Sequence, residues 1–188
     1  MKPDKYPSEK KIKEAKKSIK TAFSKHGPNG VYVGHSGGKD SATVEYLTER
    51  VTKGEEFNPH IIANLTDTEP VMNMTYLLNK SMSKDKKMTL IGPEKHEFGP
   101  IVNEFGFEAQ IDGTRIDEGT REDKSADVIL DGEDVNRNRM DELTDEHNHN
   151  EGGLFGLEVY FPIMNWTTDE VWAFIDYHNI EVSKEYEY

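Results

Sequence analysis

Short β-rich runs alternate along this chain with stretches that have the residue spacing of amphipathic helices. The β-rich runs are Val31–Val33, His60–Leu65, Met88–Ile91, Phe107–Ile111 and Tyr160–Ile163. Helices are predicted from Ser8 to His26, from the glycine turn Ser36–Ser41 to about Lys53, from Pro70 onwards, and after Thr167. This alternation predicts an α/β fold of three layers, in which helices cover both faces of a parallel sheet.

The chain of 188 residues has the length of one domain, and we expect a single domain over residues 1–188. Residues 1–27 hold the first predicted helix. The alternation fails over residues 116–153, where Asp, Glu, Asn and Gly dominate and only Val128–Leu130 has the character of a strand. We therefore expect an acidic loop or lid inserted at 116–153.

Composition excludes several classes of protein. The longest apolar stretches are far shorter than the roughly 20 residues of a membrane-spanning helix, so no membrane partner is expected. The formal net charge of -13 argues against a nucleic-acid partner. Residues 1–25 differ from the rest, because they contain nine lysines and three acidic residues. A solvated helix face is the first interpretation of these lysines, and a nucleic-acid or partner-binding role is left open.

The chain contains no cysteine. This excludes disulfides, thiolate catalysis, Cys-ligated zinc and ordinary iron–sulfur clusters, and we expect neither zinc nor a cluster as cofactor. No apolar stretch of the secretory-signal type accompanies the Lys-rich N-terminus, so we expect a cytoplasmic protein.

The glycine turn Gly34–Ser41, with the sequence GHSGGKDS, stands directly between a predicted strand and a predicted helix. Adjacent glycines allow backbone N–H groups to converge on an anion, and the helix N-terminus adds partial positive charge. Lys39 adds a full charge, and Ser36 and Ser41 add hydroxyl groups. The turn is not a Walker A loop, because three residues instead of four separate Gly34 from Gly38. The pattern predicts a phosphate site of another kind.

Four segments carry a resemblance to a known family. The sequence SGGKDS at Ser36–Ser41 resembles the PP-loop of the ATP-pyrophosphatases, the adenine nucleotide α-hydrolase-like superfamily, whose fold is Rossmann-like. The segments Gly113–Arg121 (GTRIDEGTR) and Pro162–Trp172 (PIMNWTTDEVW) are similar to two elements of the phosphoadenosine-phosphosulfate (PAPS) reductase family, and Asp67-Thr68 matches a third. The compact chain looks like the phage-encoded versions of this family.

The resemblance implies an adenine nucleotide as ligand, ATP or a PAPS-like compound, together with Mg²⁺ and an acceptor that it does not identify. A partner protein is left open. The implied nucleotide-binding residues are His35, Ser36, Gly37, Gly38, Lys39, Asp40, Ser41, Asp67 and Gly113. The implied catalytic residues are Lys39, Arg115 and Arg121, and Asp40 is the implied metal ligand.

Each of these residues also has a structural interpretation that the sequence leaves open. Arg115 and Arg121 can pair with acidic neighbours such as Asp117 instead of an anion. Asp40 and Asp67 can cap the structures that follow them, and His35 can fill an inward position at a strand end. For the segment Pro162–Trp172 we expect a structural role, with Trp166 and Trp172 in the core and Thr167 as a helix N-cap.

The missing cysteine restricts the activities that the resemblance implies. Reductases of the family use a cysteine nucleophile, so reduction of PAPS by a thiol of this chain is excluded. Family members such as the small subunit of ATP sulfurylase and the FAD synthetases cleave ATP between its α and β phosphates without this thiol. We therefore expect adenylyl transfer with release of pyrophosphate. The alternative is an inactive module that binds or senses a nucleotide or sulfonucleotide.

Overall fold

The computed structural model describes residues 2–65, 71–83, 86–91, 102–117, 128–130, 133–135, 149–150 and 157–186. Asp67, Arg121 and most of the acidic segment 116–153 lie outside these residues, so the predictions that concern them stay predictions. None of the helices found within the described ranges combines the length and the apolar character that crossing a bilayer requires.

The helices and strands follow the predicted alternation. The helices are α1 (Glu9–His26), α2 (Lys39–Thr52), α3 (Val71–Ser81) and α4 (Thr168–His178), followed by a 3₁₀ turn at Lys184–Tyr186. The strands are β1 (Val31–Gly34), β2 (His60–Asn64), β3 (Lys87–Ile91), β4 (Ala109–Ile111), β5 (Val128–Leu130), β6 (Glu133–Val135), β7 (His149–Asn150) and β8 (Glu158–Tyr160).

The described strands form one main sheet in the order β3-β2-β1-β4-β8-β7. All neighbours in it are parallel except β7, which runs antiparallel to β8. In the centre, Val33 of β1 pairs with Ile61 of β2 on one side and with Ile111 of β4 on the other. The register therefore places apolar side chains of three adjacent strands on the same face.

Helices α1, α2 and α4 pack on that face. Their buried contributions include Ala15, Ile19, Val44, Leu47, Val171 and Phe174. The opposite face presents Tyr32 and Ile62, which are covered by Val102 of the helical stretch 102–104 and by Phe107. The α/β class with three layers and a parallel sheet is thus confirmed.

The helix ends have the causes that the sequence indicates. Ser8 accepts a hydrogen bond from the backbone N–H of Lys11 at the start of α1, and Gly27 ends this helix with φ of 72°. Thr167 and Glu170 form a reciprocal capping box at the start of α4. The predicted roles of Thr167 as N-cap and of Trp166 as a core residue, 2% exposed, are confirmed.

Two predictions about strands need correction. The extended run predicted at Tyr160–Ile163 is wrong beyond Tyr160, because residues 162–165 form a turn in which Met164 donates its N–H to Phe161 O. The apolar residues there are buried in the core without forming a strand. Val128–Leu130 is a strand as predicted, but its antiparallel partner Glu133–Val135 was not predicted, since its acidic composition hides it.

Candidate functional site

The strand order creates a crevice at the carboxyl ends of β1 and β4. From β1 the chain continues to β2 and β3 on one side, whereas β4 leads to β8 on the other. In open parallel sheets, ligands bind at such a switch point, outside the carboxyl ends of the strands. The loop Ser36–Ser41 follows β1 and the loop 112–117 follows β4, so the two segments that the sequence singled out flank the same crevice.

The backbone of the phosphate loop, Ser36–Ser41, requires glycine at one position. Gly37 has φ of 84°, and a Cβ added to it would lie 3.0 Å from Cβ of Asn73 on α3. Gly38 is the N-cap residue of α2 and provides no side-chain cap for its N-terminus. The loop therefore leads into a helix of 14 residues whose N-terminal N–H groups favour negative charge.

The two loop serines hold the turn together. The Gly38 N–H donates to Ser36 Oγ at 3.3 Å, and the same Oγ lies 3.3 Å from Ser41 Oγ. Ser41 Oγ in turn donates to the carbonyl of Gly38 at 2.9 Å. These bonds fix the curvature of the loop before any ligand arrives.

His35 points inward. It is 3% exposed, and its Nδ1 accepts the N–H of Gly37 at 2.9 Å. Because Nδ1 accepts, the ring proton sits on Nε2, which faces Glu45 Oε2 at 3.0 Å. Burial lowers the pKa of His35, so the ring is neutral. The inward interpretation of His35 is therefore the one that the structure shows.

Glu45 of α2 lies at the centre of a buried ionic cluster that the sequence did not reveal. Besides His35, it contacts the ammonium groups of Lys80 on α3 and of Lys86 before β3, the latter at 2.5 Å. Burial alone would raise the pKa of Glu45, but the His35 hydrogen bond and the two lysines hold it well below its ordinary value. Its partners are up to 41 residues away in sequence, so no local pattern predicts the cluster.

Asp40, at the start of α2, lies between two cations. Lys39 donates to its Oδ2 at 2.6 Å, and Nε of Arg115 donates to its Oδ1 at 2.7 Å. No group of three or more His, Cys, Asp or Glu side chains suited to a metal occurs among the described residues. Both carboxylate oxygens of Asp40 are thus engaged by cations, an arrangement that does not fit a metal ligand.

Arg115 is 1% exposed and connects three elements. Apart from Asp40 on α2, its NH1 lies 3.3 Å from Asp117 Oδ2 and from the carbonyl of Trp166. Asp117 accepts the N–H of Thr168 at 2.9 Å, and this hydrogen bond lowers the pKa of Asp117. The pairing of Arg115 with Asp117, which the sequence left open, is therefore present, and the guanidinium joins the loop after β4 to α2 and α4.

Gly113 packs directly on the phosphate loop. A Cβ at this position would lie 2.9 Å from the carbonyl carbon of Asp40 and 3.0 Å from the backbone nitrogen of Ser41. Only a residue without a side chain allows the loop after β4 to come so close to the first turn of α2. Gly113 thus allows the loop after β4 to pack against the predicted phosphate site.

Two family models match this chain. The phosphoadenosine phosphosulfate reductase domain matches residues 94–187, and NAD synthase matches residues 11–108, each covering half of the chain or slightly more. With the glycine loop at the switch point of a parallel sheet, they define a nucleotide-binding domain of the PP-loop class. The chain belongs to the PP-loop, adenine nucleotide α-hydrolase-like family, as a member with a PAPS reductase domain. No curated protein matches it.

Solved structures share the fold at low sequence identity. FMN adenylyltransferase from Candida glabrata, in complex with ATP, is 17% identical with a TM-score of 0.67, covering 95% of this chain and 58% of that protein. PAPS reductase from Candida auris, in a phosphate complex, is 12% identical with a TM-score of 0.59, covering 96% and 92%. NMN synthetase from Francisella tularensis is 12% identical with a TM-score of 0.56, covering 94% and 72%. The chain thus spans little more than half the length of the adenylyltransferase.

Proposed function

We propose that this protein binds ATP at the phosphate loop Ser36–Ser41 and cleaves it between the α and β phosphates. An oxyanion of the acceptor attacks the α-phosphorus, the bond from that phosphorus to the bridging oxygen breaks, and pyrophosphate leaves. The observation that carries the proposal is the loop itself, since Gly37 and the uncapped N-terminus of α2 lie at the switch point of the sheet. A structural neighbour, FMN adenylyltransferase, has been solved with ATP and with FAD and pyrophosphate.

Binding and charge neutralisation are the work of the loop in this proposal. The N–H groups of Lys39, Asp40 and Ser41 in the first turn of α2 hold the pyrophosphate oxygens. Lys39 Nζ lies 2.6 Å from Asp40, so a phosphate group competes with this carboxylate for the ammonium. The lysine would then move its charge from Asp40 to the leaving group as negative charge develops there.

Arg115 acts in this proposal as a positioning residue. Its contacts with Asp40, Asp117 and the carbonyl of Trp166 leave it 1% exposed, which supports a role in holding α2 and α4 around the crevice. Arg121 remains the proposed ligand of the acceptor anion or of the α-phosphate, because guanidinium groups bind such anions through paired hydrogen bonds.

Magnesium is expected to accompany ATP, since this cation is commonly bound through substrate phosphates and one or two carboxylates. The described residues do not provide a prepared set of ligands, because Asp40 is held by Lys39 and Arg115. We therefore assign no step to a metal held by Asp40.

A nucleotide-binding module without catalysis is the second candidate. The burial of Arg115 favours it, because this arginine has no exposed edge to offer an acceptor anion. The absence of cysteine restricts both candidates in the same way, since neither can transfer a sulfonate to a thiol of this chain.

Turnover separates the two candidates. The protein is incubated with ATP and Mg²⁺ in the presence of sulfate, FMN or no acceptor, and pyrophosphate is quantified together with the adenylylated acceptor, or with AMP where water is the acceptor. We expect pyrophosphate release that is lost in Lys39→Ala and kept in Lys184→Ala, an exposed lysine in the 3₁₀ turn. ATP binding without turnover for any acceptor would favour the module. Absence of ATP binding would refute the first candidate, and absence of binding of PAPS as well would refute the second.

PAPS provides the complementary assay. With thioredoxin and PAPS we expect no sulfite, because the chain supplies no thiolate. Sulfite release above the level of a Lys39→Ala control would contradict this expectation and would require a thiol from a partner protein.

A further inference from the structure

A wide groove runs between α1, α2 and α4 on the outer surface of the helical layer. Its volume is about 1260 Å³, which exceeds the few hundred to roughly 1,000 Å³ of most small-molecule pockets. It is lined by the C-terminal half of α2, whereas the phosphate loop precedes the N-terminus of this helix. The groove is therefore a separate feature from the crevice at the switch point.

Positive charge is concentrated along this groove. Among the described residues, eight lysines and arginines line it, against two carboxylates, Glu9 and Glu14. The cations on α1 are Lys10, Lys13, Lys16, Lys17 and Lys20; the others are Lys2, Arg50 of α2 and Lys53, the C-cap residue of α2. Spacings of three and four residues place several of them in a row of about 15 Å on one side of the helix.

Most of this charge is not neutralised within the protein. Lys10 lies 3.8 Å from Glu14, and Lys2 lies 3.5 Å from Glu9. In the part of the chain that the structure describes, Lys13, Lys16 and Lys17 are exposed and have no such carboxylate partner. A row of exposed like charges is unfavourable for the isolated protein, which makes an anionic partner the natural source of compensation.

The floor of the groove is aromatic. Tyr6 and Tyr46 are partly exposed and are held in place by hydrogen bonds of their hydroxyls with the two ring nitrogens of His178, at 2.8 and 3.0 Å. Lys2 lies 5.0 Å from the ring centroid of Tyr6, and Arg50 lies 4.8 Å from that of Tyr46. Each ring therefore has a cation over one face, and Tyr6 stacks on Phe174 with 5.6 Å between the ring centroids. A phosphate that draws the cation towards itself would free this face of the ring for an adjacent base.

We propose that the α1–α2 groove binds single-stranded nucleic acid, with phosphates on the lysines and bases against the two tyrosines. A polyphosphate strand matches a row of lysines, and planar bases suit an aromatic floor better than an acidic peptide does. An anionic membrane fits less well, because the surface is concave and the whole chain carries a net charge of -13. The net charge of the whole chain argues against a nucleic-acid partner, but the structure gathers eight of its 23 lysines and arginines along this one groove.

Fluorescence anisotropy with labelled oligo(dT) and oligo(U) strands of about 15 nucleotides tests this proposal. We expect a dissociation constant of about 1–100 μM near physiological salt, and weaker binding as salt rises from about 50 to about 200 mM. The double variant Lys13→Glu/Lys17→Glu should weaken binding at least about tenfold without changing ATP affinity, because phosphate contacts dominate such complexes. The matched control Lys87→Glu/Lys184→Glu, with the same change in net charge at exposed lysines outside the groove, should change it little.

Three results would overturn the proposal. The first is the absence of binding at low salt, and the second is equal weakening in the groove variant and the control. The third is equally effective displacement of the strand by polyglutamate of matched charge, or by phosphatidylserine vesicles, which would indicate an acidic protein or a membrane as the partner. Circular dichroism of each variant confirms that it is folded, and ATP binding is measured separately, so failure here leaves the proposed function of the phosphate loop unaffected.

Discussion

Two clusters of charged side chains, one beneath the phosphate loop and one along the α1–α2 groove, use lysine in opposite ways. Beneath the loop, Lys80 and Lys86 surround the carboxylate of Glu45, which is 2% exposed. Along the groove, Lys13 and Lys17 extend into solvent beside other cations. The first cluster is neutralised internally, whereas most of the second, apart from Lys2 and Lys10, is compensated by solvent and salt.

This difference indicates what each cluster does. A buried ionic cluster fixes one arrangement of the elements that contribute to it, here α2, α3 and the inward His35 of the loop. An exposed row of like charges fixes nothing in the fold and is available to a partner. Stability should therefore depend on the buried cluster, and association on the exposed one.

Removal of the buried carboxylate should have the largest effect. Glu45→Gln removes a buried carboxylate, leaves the partly buried ammonium of Lys80 without the carboxylate that it contacts and leaves Lys86 with Glu49 alone, and we expect a loss of about 3–5 kcal/mol in the free energy of unfolding. The control Glu49→Gln removes a half-exposed carboxylate that contacts Lys86 and should cost less than about 1 kcal/mol. Urea unfolding measures both. Equal losses would show that burial does not distinguish the two carboxylates.

A side chain at Gly113 should have the next largest effect. Gly113→Ala places a Cβ within 2.9 Å of the backbone of Asp40, and we expect a loss of about 1–3 kcal/mol together with weaker ATP binding. In the control Gly34→Ala, the Cβ meets the end of the Gln110 side chain at 2.8 Å and no backbone atom; this amide is hydrogen-bonded to Tyr32 and Asp112, so the control should lose some stability but keep its ATP affinity. Thermal unfolding and ATP titration of both variants provide the comparison. An unchanged Gly113→Ala protein would contradict the close packing of the two loops.

Acid should destabilise the buried cluster in a defined order. Because burial lowers the pKa of His35, the unfolded chain binds this proton more tightly, and the free energy of unfolding falls as pH drops below about 6.5. The lowered pKa of Glu45 adds a second loss as pH falls below its ordinary value of 4.5. Burial also lowers the pKa of His60, to about 4. Protonation of His60 therefore lowers the free energy of unfolding equally in the wild type and in any His35 variant.

Unfolding of wild type and His35→Gln at about pH 7 and about pH 5.5 isolates the first of these losses. Gln keeps an acceptor for Gly37 and a donor for Glu45 but does not titrate, so the variant should lose less stability between the two pH values. An identical loss in both proteins would place the titrating group elsewhere.

The smallest effect concerns the exposed lysines. Lys13→Ala/Lys17→Ala should change the free energy of unfolding by less than about 0.5 kcal/mol, because both side chains are exposed and form no ion pair with the described residues. The same variant should weaken oligonucleotide binding. A large loss of stability would show that these lysines belong to the fold instead.

The sequence predicted the layered fold because each level of its pattern agrees with the others. Strand runs, helix spacing, the Ser8 and Thr167 caps and the glycine turn all indicate the same alternation, and the structure confirms it. The prediction from sequence failed where an apolar run is buried without forming a strand, as in the turn after Tyr160.

The site was predictable in its backbone and less so in its side chains. Gly37 lies in the turn between β1 and α2, where the backbone adopts a positive φ. Gly113 lies against the first turn of α2, because β4 is the neighbour of β1 in the sheet. The partners of Arg115 and Glu45 come from residues up to 75 positions away, and their burial depends on the assembled core. No pattern in one sequence fixes such contacts, so the sequence left the orientation of His35 open and did not reveal the ionic cluster around Glu45.

The ATP affinity of Gly37→Ala, compared with that of Gly54→Ala, tests the central claim most directly. Both glycines have positive φ, 84° and 97°, so alanine causes similar backbone strain at both, but Gly54 lies after the far end of α2. Isothermal titration with ATP and Mg²⁺ should show wild-type affinity in Gly54→Ala and affinity weakened at least about tenfold, about 1.4 kcal/mol, in Gly37→Ala. Equal ATP affinity in the two variants would contradict the assignment of Ser36–Ser41 as the phosphate-binding loop.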